Sequence, residues 1–393
     1  MLRNRTLLAV SLAVGAAYAG IGMVGPVRVL YAQSRGASLF LIGAMASGYL
    51  VSNSLFQYPW GWLADRWGRK QVMILGLFLQ AILSLVYLPI TDPVLFVVLR
   101  CVEGIMAAAV LPSARALIVD TVPPEQQGEA YGIFGAFFSA GFLIGPGIGG
   151  LLATIGYADA FIGAALSRLI AIIIIILLVH PAKKVTIASA GPARAVPYRL
   201  LFTLPLLGAY ILAFGDLLYV GFDQTILPIW MHNQLGASIA IIGIAYVAFS
   251  LPNMILAPIG GRLADRRRRS WLILIAGLAQ VPLYAIYGLT TAVIVVIFFF
   301  AVQGAIYAFI QPAVDASVAA ASVSTMRARV QGLYSTFGLL GGFFSASVMS
   351  PLYGIDYRLP LFAVGLGYGL CVLIGGLMIR RAEAHALNIR EIL

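Results

Sequence analysis

The sequence predicts an all-α membrane protein with twelve transmembrane helices, arranged as two six-helix bundles related by a parallel pseudo-two-fold repeat. Three observations predict it. The 393 residues are 61% hydrophobic and only 10% charged, whereas a soluble domain carries about 25% charged residues. Apolar runs recur along the whole chain, as at 71–90, 161–179 and 270–301. Each is long enough to cross a ~30 Å hydrocarbon core, which takes about 20 helical residues. The chain also repeats itself at an offset of 200 residues. A chain this apolar cannot cover a water-facing surface, which excludes a soluble globular protein.

The spans are expected in order. The first, at 6–30, follows Arg3 and Arg5. Its apolar stretch exceeds the core of a cleaved signal peptide, so it reads as a membrane helix that also targets the chain. The others fall at 39–63, 71–90, 93–118, 129–153, 157–179, 201–230, 238–263, 270–289, 292–317, 328–352 and 358–379. Turn signals separate them: Arg35-Gly36-Ala37-Ser38, Thr91-Asp92-Pro93, Pro123-Pro124 and Gly156-Tyr157. The longest connection, 180–200, is polar, basic and marked by Pro and Gly. The expected domains are an N-terminal bundle at 1–182, a cytoplasmic linker at 183–199 and a C-terminal bundle at 200–393. No loop is large enough for a soluble domain.

The net charge of +11 invites a nucleic-acid reading, but the placement of the charges argues against it. With the N-terminus in the cytoplasm, one side collects Arg3, Arg5, Arg66, Arg69, Lys70, Lys183, Lys184, Arg194, Arg199, Arg262, Arg266, Arg267, Arg268, Arg269, Arg327, Arg329, Arg380, Arg381 and Arg390. The other side collects Arg35 and Arg358, with Arg28 near a helix end. This positive-inside bias places both termini in the cytoplasm and the chain in the cell (inner or plasma) membrane. Contact with anionic lipid accounts for the charge, and no nucleic-acid partner is needed. Cys101 and Cys371 lie in apolar segments and form no disulfide framework or metal site. His180, His232 and His385 are scattered. There is no metal-binding cluster, nucleophile elbow or phosphate loop, so no cofactor, no metal and no enzyme are expected.

The repeat is gapless. Gly36-Ala37-Ser38 meets Gly236-Ala237-Ser238, Ile42-Gly43 meets Ile242-Gly243, and Leu63-Ala64-Asp65-Arg66 meets Leu263-Ala264-Asp265-Arg266. The register runs on through Gly104/Gly304, Pro112/Pro312 and Tyr157/Tyr357. Six spans per half give both halves one orientation, an arrangement typical of transporters whose substrate sits near mid-membrane.

Three stretches resemble signatures of the major facilitator superfamily, and the resemblance covers essentially the whole chain. GWLADRWGRK at 61–70 fits the loop signature between the second and third helices. RCVEG at 100–104 is similar to the fourth-helix motif, and GFLIGPGIGG at 141–150 to the fifth-helix motif of antiporters. Within that superfamily the chain resembles the 12-helix proton-coupled drug antiporters. The resemblance implies conformational control at Gly61, Asp65, Arg66, Gly68, Arg69 and Lys70, and a seal on proton leak at Gly141, Gly145, Pro146, Gly149 and Gly150. The residues carry independent content. Gly61 and Gly68 permit tight backbone paths. Asp65 can cap a helix N-terminus, Arg69 can reach Asp120, and Arg66 and Lys70 can face lipid phosphates. Glycines four apart make a flat helix face, and Pro146 permits a bend. The repeat partners of Gly145-Pro146 are Ser345-Ala346. Generic packing would be kept in both halves, so the asymmetry favours a functional bend over a merely packed, kinked helix.

Ionisable residues within spans mark cavities or partners. Arg100 and Glu103, at i and i+3, share a face; they read either as a proton-coupling pair or as a locked ion pair. Their repeat partners are Phe300 and Gln303. Asp216, Tyr219 and Asp223 form a stripe suited to protons or cations, unless the two carboxylates simply satisfy Arg28 or Arg168. Asp216 lies nearer mid-membrane and is the better protonation site. Gln303, Tyr307, Gln311 and Asp315 recur every four residues and suit a substrate with polar and aromatic parts. Asp315 is the repeat partner of Arg115, and the two are expected either to pair as an inner gate or to be solvated separately. Tyr18, Asn53, Gln57 and Tyr246 complete the expected substrate-binding set. Arg168 marks an anionic group, a lipid headgroup or a lateral opening.

The leading function is a secondary active transporter: a proton-coupled exporter of amphiphilic or drug-like small molecules, working by alternating access as a monomer among membrane lipids. The alternatives are a lipid or glycolipid translocator and a sugar or metabolite transporter.

Overall fold

The computed structural model describes residues 4–123, 126–179, 198–266, 269–322 and 327–392. The described residues are all-helical. The helices are α1 (Arg5–Ser34), α2 (Leu39–Trp67), α3 (Arg69–Val86), α4 (Pro93–Ala107), α5 (Val110–Thr121), α6 (Gln127–Ile155) and α7 (Tyr157–Leu178). They continue with α8 (Leu204–Asp223), α9 (Ile226–Leu235), α10 (Ile239–Arg266), α11 (Arg269–Leu289), α12 (Val293–Ala321), α13 (Arg327–Ile355) and α14 (Leu359–Ile392). Among the described residues, twelve spans are long and apolar enough to cross a membrane, with α4 and α5 together making one. The expected linker at 183–199 falls largely outside the described residues, as do Arg267 and Arg268; the side chains of Asp265, Arg266 and His385 are likewise not described.

Local chemistry sets the ends. The Asn4 side chain accepts from the Leu7 amide at 3.1 Å and starts α1. Ser38 does the same for Leu41 at the start of α2, and Asp92 for Val94 at the start of α4, where Pro93 takes the first helical position. Between α2 and α3 the chain turns at Gly68, with φ of 108°. That conformation suits glycine.

Two expected spans are divided. The fourth breaks at Ala108 and Ala109, where Pro112 cannot donate to the Ala108 carbonyl and crowds it. Pro312 at the equivalent place leaves α12 continuous, so the proline permits the break without forcing it. The seventh breaks after Asp223. There the Thr225 hydroxyl donates to the Gly221 carbonyl at 2.7 Å, competing with the helical ladder.

The chain divides into two compact units. One comprises Met1–Ala188 and Met231–Val247, the other Ser189–Trp230 and Ala248–Leu393. In the first, α1 packs on α6 and α7, and α2 on α4. In the second, α8 packs on α13 and α14, the same pattern one repeat later.

The fifth-helix glycines lie in this packing. A Cβ on Gly145 would come 2.5 Å from the Ala19 carbonyl oxygen, and Cβ atoms on Gly141 and Gly149 would strike the carbonyls of Gly15 and Met23. Gly150 faces Ile239 and Ala240, in the segment that clusters with the first unit. α6 runs unbroken through Pro146. The second unit packs as closely with other residues: a Cβ on Gly341 would strike the Phe214 carbonyl, and one on Gly221 would lie 2.6 Å from the Gly342 carbonyl oxygen. Close packing is therefore kept in both copies, and the asymmetry of the motif is no argument for a bend.

Candidate functional site

The first unit buries a cluster of charges. Glu103 and Arg100 sit one turn apart on α4, joined at 3.0 Å. Arg28, from α1, donates to the other Glu103 oxygen at 3.1 Å. Arg168, from α7, approaches that oxygen at 3.9 Å and donates to Ser84 Oγ at 2.8 Å and to the Ala164 carbonyl at 3.1 Å. The Tyr87 hydroxyl donates to Glu103 at 3.2 Å, and the Arg100 guanidinium lies 4.1 Å from the Tyr49 ring centroid. Arg168 is 1% exposed, Arg28 and Glu103 4%, and Arg100 8%.

Arg28 lies near the end of α1, as expected, and is buried inside the helical bundle of the first unit. Arg28 and Arg168 both turn to Glu103. Arg168 meets an anionic group, the Glu103 carboxylate, which is one of the readings its position allowed. Tyr87, Ser84 and Tyr49 complete the cluster and escaped sequence reading, although Tyr87 is the repeat partner of Tyr287, which plays the same part in the second unit.

There the Tyr287 hydroxyl donates to Gln303 at 2.9 Å. The Gln303 amide donates to Gln280 at 3.3 Å and to the Tyr284 hydroxyl at 3.2 Å, and Gln280 donates to the Tyr368 hydroxyl at 3.4 Å. Phe300 stands where the first unit has Arg100, and Tyr368 where it has Arg168. The second copy is a neutral network at the same place.

The second unit's carboxylates lie elsewhere. Asp216, partly buried on α8, accepts from the Tyr307 hydroxyl of α12 at 2.7 Å. That hydroxyl is 3.3 Å from the Gln311 side-chain oxygen, and Gln311 donates to Asp315 at 3.2 Å. Having one proton, the hydroxyl gives it to the nearer carboxylate. Tyr307, Gln311 and Asp315 of the expected α12 stripe thus join Asp216, whereas Gln303 is buried in the neutral network. Among the described residues, neither Asp216 nor Asp315 forms an ion pair. A small cavity opens here, lined by Asp216, Gln311, Tyr334 and Tyr368 among aliphatic side chains. Tyr219, one turn beyond Asp216 on α8, donates at 3.4 Å to Asp223, a further turn on.

The other predicted residues are placed as follows. Asn53 donates to the Gly104 carbonyl at 3.2 Å and accepts from Gln57, so it ties α2 to α4. Tyr18 packs on Phe138 and Phe142. Tyr246 is partly buried on α10, and Arg115 and Asp315 are exposed on α5 and α12. The 61–70 stretch is helical on both sides of Gly68 and not a loop; within it Arg69 does reach Asp120, at 2.5 Å, and also donates to the Ala116 carbonyl at 2.6 Å. Asp65 caps no helix: it is largely exposed, 3.6 Å from Arg69, and α3 begins with no side-chain cap. Lys70 donates to the Ile176 and Val179 carbonyls at the end of α7. Arg66 lies beside the Trp62 ring. Gly61 faces open space.

Comparison with known proteins agrees with this architecture. The sequence profile described as Major Facilitator Superfamily matches residues 10–225 and 217–392. Quinolone resistance protein NorA of Staphylococcus aureus (strain MRSA252) is 28% identical over 204 residues, 50% of this chain and 52% of that protein. The alignment thus spans about half the length of that relative. Among solved structures, a bacterial homolog of the human lysosomal transporter Spinster, inward-facing and occupied, aligns with a TM-score of 0.76 at 16% identity, over 95% of this chain and 96% of that one. A D-xylose-proton symporter aligns at 0.75 and 16%, over 95% of each chain. Twelve apolar spans, a duplicated bundle and a profile match along nearly its whole length make this chain a member of the Major Facilitator Superfamily, a multi-pass membrane transporter and not an enzyme.

Proposed function

We propose that the chain is a proton-coupled exporter of amphiphilic or drug-like small molecules, resident in the cell membrane with both termini cytoplasmic. The observation that carries this reading is Asp216. It is a carboxylate within an apolar span, bonded to Tyr307 beside a cavity, with no cation partner among the described residues. A carboxylate so placed takes up and releases a proton at small cost in rearrangement. Glu103 is the poorer proton carrier, because three arginines hold it; with Arg100 it sets the charge of the first unit. Tyr307, Gln311 and Tyr219 line the substrate side in this reading. The similarity to a quinolone resistance protein over half the chain supports an amphiphilic cargo.

The test is reconstitution into liposomes with an imposed pH gradient and four solutes: a quinolone, a lipophilic cation, xylose and a labelled lysolipid. Impermeant maleimide labelling of Ser34→Cys and Gln126→Cys, in a chain with Cys101 and Cys371 replaced by Ser, reports orientation. Gradient-driven movement of the quinolone or the cation is expected, and Asp216→Asn should abolish it while leaving solute binding. Movement of xylose or lysolipid alone would replace this reading with one of the alternatives. Labelling of Gln126→Cys from outside the cell would reverse the topology.

A further inference from the structure

The first unit places three arginines against one carboxylate. Two positive charges are left uncompensated inside membrane-spanning helices, where a single one is expensive. The fold does not demand this. At equivalent positions the second unit has Phe300, Gln303 and Tyr368, with Pro228 in place of Arg28, and closes a neutral network. The donors also outnumber the acceptors. Both oxygens of Glu103 are engaged, one by Arg28 and the other by Arg100 and Tyr87. Arg28 Nε, Arg168 Nε and Arg168 Nη2 are buried with no hydrogen-bond partner. Buried guanidinium nitrogens without acceptors are costly, and the planar fork of arginine matches an oxyanion.

We propose that Arg28, Arg100 and Arg168 form a binding site for the carboxylate or phosphate head of an anionic amphiphile, and that Glu103 is a built-in occupant which this ligand displaces. A phosphate monoester carries up to two negative charges, one more than the carboxylate it would replace among the three arginines. Tyr87 supplies a further donor. Arg100, the least buried of the four charged residues, lies over Tyr49 and marks the side of entry. The inference deepens the export reading by giving the cargo, or a lipid bound beside it, a negative charge. Binding is measured without a gradient, so it can fail independently of transport.

The experiment uses the full chain in phosphatidylcholine nanodiscs with radiolabelled decyl phosphate, and decyltrimethylammonium as the cationic counterpart. Saturable binding of the phosphate is expected. Arg168→Gln should weaken it about tenfold or more, the worth of one lost charge-assisted hydrogen bond. Glu103→Gln should tighten it by a similar factor, because the internal competitor is gone. A purely structural cluster predicts no tightening. Competition by phosphatidylglycerol added to the nanodisc assigns the site to a lipid headgroup; indifference to that lipid, with competition by soluble benzoate, assigns it to a soluble anion. Equal binding of the ammonium compound, or wild-type affinity in both variants, overturns the proposal. If Arg168→Gln is not monodisperse, Arg168→Lys keeps the charge and removes the fork; undiminished phosphate binding in that variant overturns it equally.

Discussion

Arg69 shows how much one residue of the repeated stretch carries, and how the copies differ. It donates to the Ala116 carbonyl and pairs with Asp120, so it ties the start of α3 to the end of α5. Asp65 joins only from an exposed position, 73% accessible and 3.6 Å away. Exposed pairs of that kind are worth at most about 1 kcal/mol, so Asp65→Asn should change stability by less than that. Arg69→Ala leaves a carbonyl and a partly buried carboxylate without their donor, and should cost about 1.5–3 kcal/mol. The second copy is an internal control. Arg269 keeps the bond to the Ala316 carbonyl at 2.8 Å, but Ala320 stands where Asp120 would be. Arg269→Ala should therefore lower the thermal midpoint in detergent less than Arg69→Ala does. An equal drop would mean that the carbonyl bond, and not the ion pair, is the working contact.

At the scale of the element, α6 offers a comparison along one helix. Gly135 has nothing within 4 Å of a Cβ position, while a Cβ on Gly149 would strike the Met23 carbonyl of α1. Gly135→Ala should then stabilise by about 0.5–1 kcal/mol, the helix propensity gain. Gly149→Ala should destabilise by about 1–3 kcal/mol, because α1 must move away. Opposite shifts in thermal midpoint check this; shifts of one sign would refute the packing account. The elements themselves were largely legible, because apolar length and turn residues encode spans directly. The breaks after Ala107 and Asp223 were not. They depend on which carbonyl loses its donor, and Pro312 shows that the same proline need not break a helix. The site was half legible. Spacing put Arg100 with Glu103 and set Tyr307 in the α12 stripe, but sequence distance hides Arg28 and Arg168, which come to Glu103 from α1 and α7.

The whole molecule is a duplication in which one copy is charged and the other neutral at the same place, and this makes its own test possible. Removing one partner from a buried ion pair costs about 3–5 kcal/mol, because a charge is stranded, whereas replacing the whole set by fitted neutral groups is often harmless. Glu103→Ala strands three arginines and, unlike Glu103→Gln, leaves no acceptor oxygen for Arg28, Arg100 and Tyr87, so it should unfold or strongly destabilise the protein. A fourfold variant can copy the second unit: Glu103→Gln, Arg100→Phe and Arg168→Tyr, with Arg28→Leu to remove the remaining charge. In the second unit Gln303 bonds to Tyr287, and Phe300 packs 5.4 Å from the Tyr287 ring, so the template is known to close around a tyrosine at the equivalent of Tyr87. This variant should insert, run as a monodisperse species and melt above Glu103→Ala, yet bind no decyl phosphate. Folding with loss of anion binding would assign the arginines to recognition. Melting below Glu103→Ala would instead make the charges a requirement of the first bundle, and the neutral copy a poor guide to its twin.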